Sequence, residues 1–413
     1  MGVHYFFPWI KKECPQCLRS EPNYSPGSVL LFDVNGLLYG ARSAPDEACR
    51  DVMKIVEDRV RESRASVVVL AVDGVAPKAK RWQQRKRRFI NPVNNRLSVG
   101  TSFMQSLDDA FRAYLAKRSV CATLYFSGSR VAGEGEHKLF RFLNRFRWPG
   151  DKYIFGVDGD LLMLALLNGA RRVHVVRPVF MRPGQVDCVD IDAFREYVEA
   201  RFRNAASFVC AANVLGNDFL PSIEPHDTRD AFEEFLKTVQ HLNLVDGDSV
   251  DWNHFSKEPT ERGRQFARGM QWILDYYTQK TDSEWVDWVY PFAERPEWNE
   301  IGWPADEPLT FVGTDSLERM PLFQLFFLLP LSSIYLLPEP LQIVYVESFS
   351  VAQKRRKKRP SWDVDYEVVV DRDVNLLNLY KLVHEFLPED QASGSVYRFE
   401  TVHKTGGGGS KQA

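Results

Sequence analysis

The chain has 413 residues, 44% of them hydrophobic, 13% aromatic and 26% charged, with a formal net charge of -2. That composition suits an ordinary globular protein with a large core, and six cysteines are too sparse for a disulfide scaffold at this length, which fits a reducing intracellular compartment, the cytoplasm before the nucleus. The near-neutral balance gives no sign of a nucleic-acid protein, but net charge averages over patches and an acidic metal centre would mask basic ones.

The opening MGVHYFFPWIKK lacks the charged-then-apolar order of a signal peptide, and Phe6 stands where a myristoylation motif wants Ser or Thr, so no secretion or lipid anchor is expected. Cys14 and Cys17 form a lone C-x-x-C with no second pair at zinc-ligand spacing, and are read as surface or packing residues. From Val29 to Pro178 short β-rich runs alternate with helical patterns: VLLFDV, a helix through Ala48 to Glu62, VVVLAVDG, and a basic helix opening near Pro77. CATLYFSG, a helix from Gly135 to Phe146, YIFGVD, a helix from Leu161 to Leu167 and RVHVV follow. This alternation predicts an α/β fold, a mainly parallel sheet flanked by helices. Residues 187–245 read as helical, with Phe194, Tyr197, Val198 and Phe202 in one stripe. Beyond Asp251 the chain turns Trp-rich, which places a loose boundary between 245 and 262. LFQLFFLLPLSSIYLL, broken by Pro330, reads as a buried helix followed by a turn, not a membrane span. KRRKKR from Lys354 to Arg359 reads first as a solvated loop, and TGGGGSKQA as a flexible tail.

Seven carboxylates stand out: Asp33 in LLFDVNG, Asp73 in VVLAVDG, Glu134 and Glu136 in GEGEHK, Asp158 and Asp160 in GVDGD, and Asp218 in LGNDFLP. A single strand-end Asp is commonly a cap or turn residue, but several in consecutive strand-loop units are hard to explain that way. The strand-associated acids should gather outside the carboxyl edge of one sheet, where open α/β folds bind ligands. There they would repel one another unless divalent cations sat among them, which predicts Mg²⁺ or Mn²⁺, two ions in all, on hard oxygen ligands. In KAKRWQQRKRRF, directly after Asp73, Lys80, Gln84, Arg87 and Arg88 fall at i, i+4, i+7 and i+8 and share one helix face. Alone that run would read as a solvated basic helix; beside a metal-ligand aspartate it reads as a clamp for a terminal phosphate.

In order along the chain, MGVHYFFPWI, FDVNGLLY, AVDGVAPKAKRWQQRKRRF, VGTSFM, FSGSRVAGEGEHKLFRFL, FGVDGDLLMLAL, NVLGNDFLP, MQWILDYYTQ and WVYPF resemble the XRN 5′-to-3′ exoribonucleases. The resemblance implies a PIN/FEN-like nuclease core over residues 1–245, a Trp-rich, mostly helical region over 246–403 that completes the pocket, and a flexible tail over 404–413. It also implies a Mg²⁺-dependent, processive enzyme of RNA decay that degrades 5′-monophosphorylated single-stranded RNA to nucleoside 5′-monophosphates, with RNA-decay or decapping factors as partners and no membrane. All seven acids match the family's metal ligands, and Lys80, Gln84, Arg87 and Arg88 its 5′-monophosphate pocket. Two departures bear on the terminal base: Tyr39 stands where the family stacks a histidine, and the tryptophan segment has an extra residue, leaving open whether Trp285 or Trp288 stacks on RNA or packs in the core. The rivals are a structure-specific 5′ nuclease acting on DNA flaps and a catalytically silent RNA-binding protein. Against the second, a silent descendant would have no reason to keep seven mutually repulsive carboxylates.

Overall fold

A computed structural model describes residues 2–38, 44–90, 92–117, 122–179, 184–223, 229–280, 285–292, 294–314, 316–348, 352–355, 366–369, 399–402 and 411–412. The strands are β1 (Leu18–Arg19), β2 (Val29–Asp33), β3 (Val67–Ala71), β4 (Thr123–Ser127), β5 (Lys152–Phe155), β6 (Val173–Pro178), β7 (Val186–Asp190), β8 (Val245–Asp246), β9 (Ser249–Val250), β10 (Ala352–Arg355), β11 (Tyr366–Val369), β12 (Glu400–Val402) and β13 (Lys411–Gln412). The α-helices are α1 (Phe6–Glu13), α2 (Val34–Leu38), α3 (Pro45–Ser63), α4 (Lys78–Ile90), α5 (Ser102–Lys117), α6 (Gly135–Arg145), α7 (Asp160–Leu167), α8 (Ile191–Glu199), α9 (Ala205–Val214), α10 (Arg229–Val239), α11 (Glu261–Thr278), α12 (Pro321–Leu328) and α13 (Glu339–Ser348).

Nine strands form one sheet in the order β1-β7-β6-β5-β2-β3-β4-β12-β13. Its centre, β6-β5-β2-β3-β4, is parallel, while β7, β1, β12 and β13 add antiparallel edges. VLLFD and VVVLA are buried along their whole length, as central parallel strands covered on both faces must be. Alternate residues feed two cores. Leu30, Phe32, Val68 and Leu70 pack with Val52 and Met53 of α3 and Leu107 and Phe111 of α5. Val29, Leu31, Val67 and Val69 pack on the other face with Leu139 and Phe142 of α6, and that cluster continues through α7, α8, α9 and α11.

The expected α/β architecture is present, with four local differences. β7 lies inside the stretch read as helical; VDCVD alternates polar and apolar residues, the period of an edge strand, ahead of the α8 stripe. The core on the α6 face runs from Val3 to Phe399, so residues on both sides of the expected 245/246 boundary share one hydrophobic cluster. Lys411–Gln412, in the segment expected to be a free tail, pairs with β12 at the sheet edge. Cys14 and Cys17 are fully buried and joined as a disulfide. Around Pro330 the chain behaves as read: α12 is followed by a short 3₁₀ helix over Leu331–Leu336.

Candidate active site

Strand ends and helix starts deliver the acids to one edge. Asp33 closes β2, and Asp73 lies two residues beyond β3. Glu134 is the N-cap residue of α6, with Glu136 in its first turn. Asp160 opens α7, two residues after Asp158. Asp218 sits in the loop after α9. Helix N-termini carry partial positive charge, which eases the crowding of carboxylates on α6 and α7. Two local devices pull the chain tight here. The Asp73 amide donates to Asn35 Oδ1 at 2.8 Å, and the Gly135 amide donates to Asp73 Oδ1 at 2.6 Å. A Cβ on Gly135 would lie 2.8 Å from Asp33 Oδ1 and 3.2 Å from Asp73 Oδ1, so only glycine lets α6 approach this closely.

One cavity is lined by Asp33, Asp73, Glu134, Glu136 and Asp158 together with Lys80, Gln84, Arg87 and Arg88 of α4. The remaining two acids join through cations. Lys80 Nζ is 3.5 Å from a carboxylate oxygen of each of Glu134, Asp160 and Asp218. Arg87 reaches the two Asp218 oxygens at 3.1 and 3.3 Å. The four α4 residues line one cavity, with Lys80 and Arg87 both turned toward acids.

The family model for the XRN 5′-3′ exonuclease N-terminus matches residues 1–94 and 91–179. Over 321 residues the chain is 26% identical to 5′-3′ exoribonuclease 1 of Saccharomyces cerevisiae, covering 59% of this chain and 21% of that protein. Human 5′-3′ exoribonuclease 1 is 25% identical over 301 residues, covering 55% and 18%. Over its first 179 residues this chain is similar to the XRN 5′-3′ exonucleases. It spans about a fifth of the length of these two curated relatives. Overlap with solved structures is partial: the catalytic core of Rad2 in complex with DNA substrate gives a TM-score of 0.38 at 14% identity, over 56% of this chain and 68% of that one. T5 5′-exonuclease with zinc bound gives 0.36 at 7% identity, over 78% and 97%.

The acid cluster of this chain fits a divalent metal. Oδ1 of Asp33 and both carboxylate oxygens of Asp160 are buried without a hydrogen-bond partner, a costly state for carboxylates that cations would relieve. Glu134, Glu136 and His137 each offer a ligand atom, all within 4.8 Å of one another. Without metal, burial and mutual repulsion resist ionisation. Burial, then the charges of Asp73 and Asp158, lifts the Asp33 carboxyl well above its usual range. Glu134 is pushed up to about 7, by burial first and, against the pull of Lys80, by Asp73. Burial and then Asp158 push Asp160 up to about 6. Asp218 is held below its ordinary value: burial opposes this, but Lys80 and Arg87 prevail.

Sequence reasoning missed α11. Its Tyr276 hydroxyl donates to Glu134 Oε2, and Tyr277 is buried facing Asp160. The signal was a tandem tyrosine in DYYTQ at the end of an otherwise apolar helical stripe. For Trp285 and Trp288, left open between stacking on RNA and packing in the core, the structure shows core positions. Trp288 is 5% exposed and packs in the main core against Trp272, with ring centroids 5.4 Å apart, while Trp285 is 2% exposed among Val75, Val99 and Ala132. Burial on both faces leaves neither as an open stacking platform. Tyr39 lies outside the described residues.

Proposed function

We propose that this chain is a divalent-metal-dependent 5′-to-3′ exoribonuclease that grips a 5′-monophosphate on single-stranded RNA and releases nucleoside 5′-monophosphates in succession, in RNA decay. The observation that supports the reading is one cavity lined both by Asp33, Asp73, Glu134, Glu136 and Asp158 and by the α4 residues Gln84, Arg87 and Arg88. Asp33, Asp73, Glu134, Glu136, Asp158, Asp160 and Asp218 would hold Mg²⁺ or Mn²⁺, since their oxygens suit hard cations. Two bound ions would supply an activated water and stabilise the leaving oxygen of an in-line displacement. The protein's own groups do the rest. Gln84, Arg87 and Arg88 orient the terminal phosphate by charge-assisted hydrogen bonds, which fixes the next phosphodiester against the acids. Tyr276 holds Glu134 in one orientation through its hydroxyl.

Matched RNAs bearing 5′-monophosphate, 5′-hydroxyl, 5′-triphosphate or a cap, with and without Mg²⁺, test the reading, alongside a DNA flap. Degradation confined to monophosphorylated RNA in Mg²⁺ is the expected result. Preferential cutting of the flap, or cleavage that is indifferent to the 5′ end, would overturn it.

A further inference from the structure

Lys80 occupies an unusual position for a phosphate-binding residue. Its ammonium stands 3.5 Å from each of three carboxylates drawn from three separate elements, Glu134 before α6, Asp160 on α7 and Asp218 after α9. The side chain is only 5% exposed, and Nζ lies 5.6 Å from the centroid of the Phe219 ring. A charge-assisted N–H to carboxylate bond is normally about 2.7 to 2.9 Å. At 3.5 Å from all three acids, Lys80 shares its charge among them without a short bond to any. Lysine is also the cation suited to moving, a compact charge on a flexible four-carbon stem. Gln84, Arg87 and Arg88 line the same cavity from the same helix face, so an anion seated there is within the sweep of that stem.

We propose that Lys80 is a built-in counter-cation: in the free protein it fills the space between Glu134, Asp160 and Asp218 that a divalent ion needs, and the 5′-phosphate of the substrate draws it away. The inference rests on the proposed function. A divalent ion on any of these carboxylates would sit within a few ångströms of the ammonium, so ion and inward-facing lysine repel strongly in a site shielded from solvent. A phosphate that draws Lys80 out removes that repulsion. By linkage, end binding then strengthens metal binding and metal strengthens end binding by the same factor. The site would arm itself only when a correct RNA end is present.

Mn²⁺ binding to the full chain, read as loss of the free-ion signal in electron paramagnetic resonance, tests this without an activity assay. Uridine 5′-monophosphate serves as the phosphate probe and uridine as its control. Wild-type protein should bind Mn²⁺ about tenfold or more tightly when the nucleotide is present, and uridine should have no effect. Lys80→Met should show the tightened affinity with no nucleotide added and gain little from it, while Lys80→Arg, which keeps the charge, should stay weak. A Lys80→Met protein with wild-type or weaker affinity would overturn the inference, as would a wild-type affinity that the nucleotide leaves unmoved. The wild-type comparison decides by itself should Lys80→Met fail to fold. Asp160→Asn separates the two levels. If wild type binds no Mn²⁺, or binds it no better than Asp160→Asn, the metal reading itself fails; if it binds Mn²⁺ at Asp160 without dependence on Lys80, only the counter-cation role fails.

Discussion

At the scale of single residues, the acids are costly to the metal-free fold. Glu134 and Asp160 have folded-state pKa values of about 7 and about 6, above their ordinary values, so folding resists their ionisation. The unfolded chain releases these protons near its ordinary carboxylate range and the folded chain only at higher pH. The penalty therefore starts above about pH 4.5 and is complete above about pH 7 for Glu134. Glu134→Gln or Asp160→Asn should raise the melting temperature of metal-free protein, with a gain near zero at acidic pH that grows toward pH 8. Melting curves in EDTA across that range check it; a variant less stable than wild type at pH 8 would contradict it. Arg88 tests the proposed phosphate clamp on α4. Arg88→Ala should cut the preference for 5′-monophosphate over 5′-hydroxyl RNA by about ten- to hundredfold, since a charge-assisted bond to phosphate contributes roughly 1.5 to 3 kcal/mol. Equal losses on both substrates, measured as kcat/KM, would assign Arg88 to general RNA binding.

Among the elements, α4 shows what periodicity can and cannot reveal. Lys80, Gln84, Arg87 and Arg88 were legible as one face because their spacing follows the helix repeat. Arg81 and Arg85 are of the same residue type, and no spacing rule marks them as different. The structure buries both: Arg81 pairs with Glu318, and Arg85 donates to the Phe327 carbonyl at 2.7 Å with its guanidinium 4.8 Å from the Phe327 ring centroid. One helix thus serves the cavity with one face and anchors α12 with the other. Arg85→Ala should cost about 2 to 4 kcal/mol of stability, from lost packing and an unsatisfied carbonyl, with 5′-end discrimination retained in the folded fraction. Chemical denaturation and a two-substrate assay distinguish that outcome from a role in phosphate binding. On α11, a Cβ at Gly269 would come within 2.6 Å of the Trp288 ring, so Gly269→Ala should also destabilise. The approach of Trp288 to Gly269 was invisible in sequence, because it joins residues from separate elements.

Across the whole molecule, the parallel centre of the sheet was legible because each strand is a short, continuous apolar run between turn signals, and six of the seven acids follow from those strand ends or the helices after them. Less legible was everything that depends on long-range return. Glu400–Val402 comes back to pair with β4, and Tyr276 and Tyr277 of α11 reach acids more than a hundred residues earlier in the chain. Composition suggested a boundary near 245, and residues on both sides of it share one hydrophobic cluster. A fragment ending at residue 245 should therefore lack cooperative thermal unfolding and nuclease activity, since it loses Trp272, Tyr276 and Tyr277 from a shared core. A folded, active fragment would restore the two-domain division.

The central claim, an RNA end held at α4 and cut at the acids, is tested most directly by the first product. Single-stranded RNA carrying a radiolabelled 5′-monophosphate, digested in Mg²⁺ by wild type and by Asp158→Ala, should yield labelled mononucleotide from the earliest time points with wild type, with no labelled fragments of intermediate length. Asp158→Ala should yield none. Labelled oligonucleotides that shorten gradually, or a burst of internal fragments, would place cutting away from the 5′ end and contradict the account.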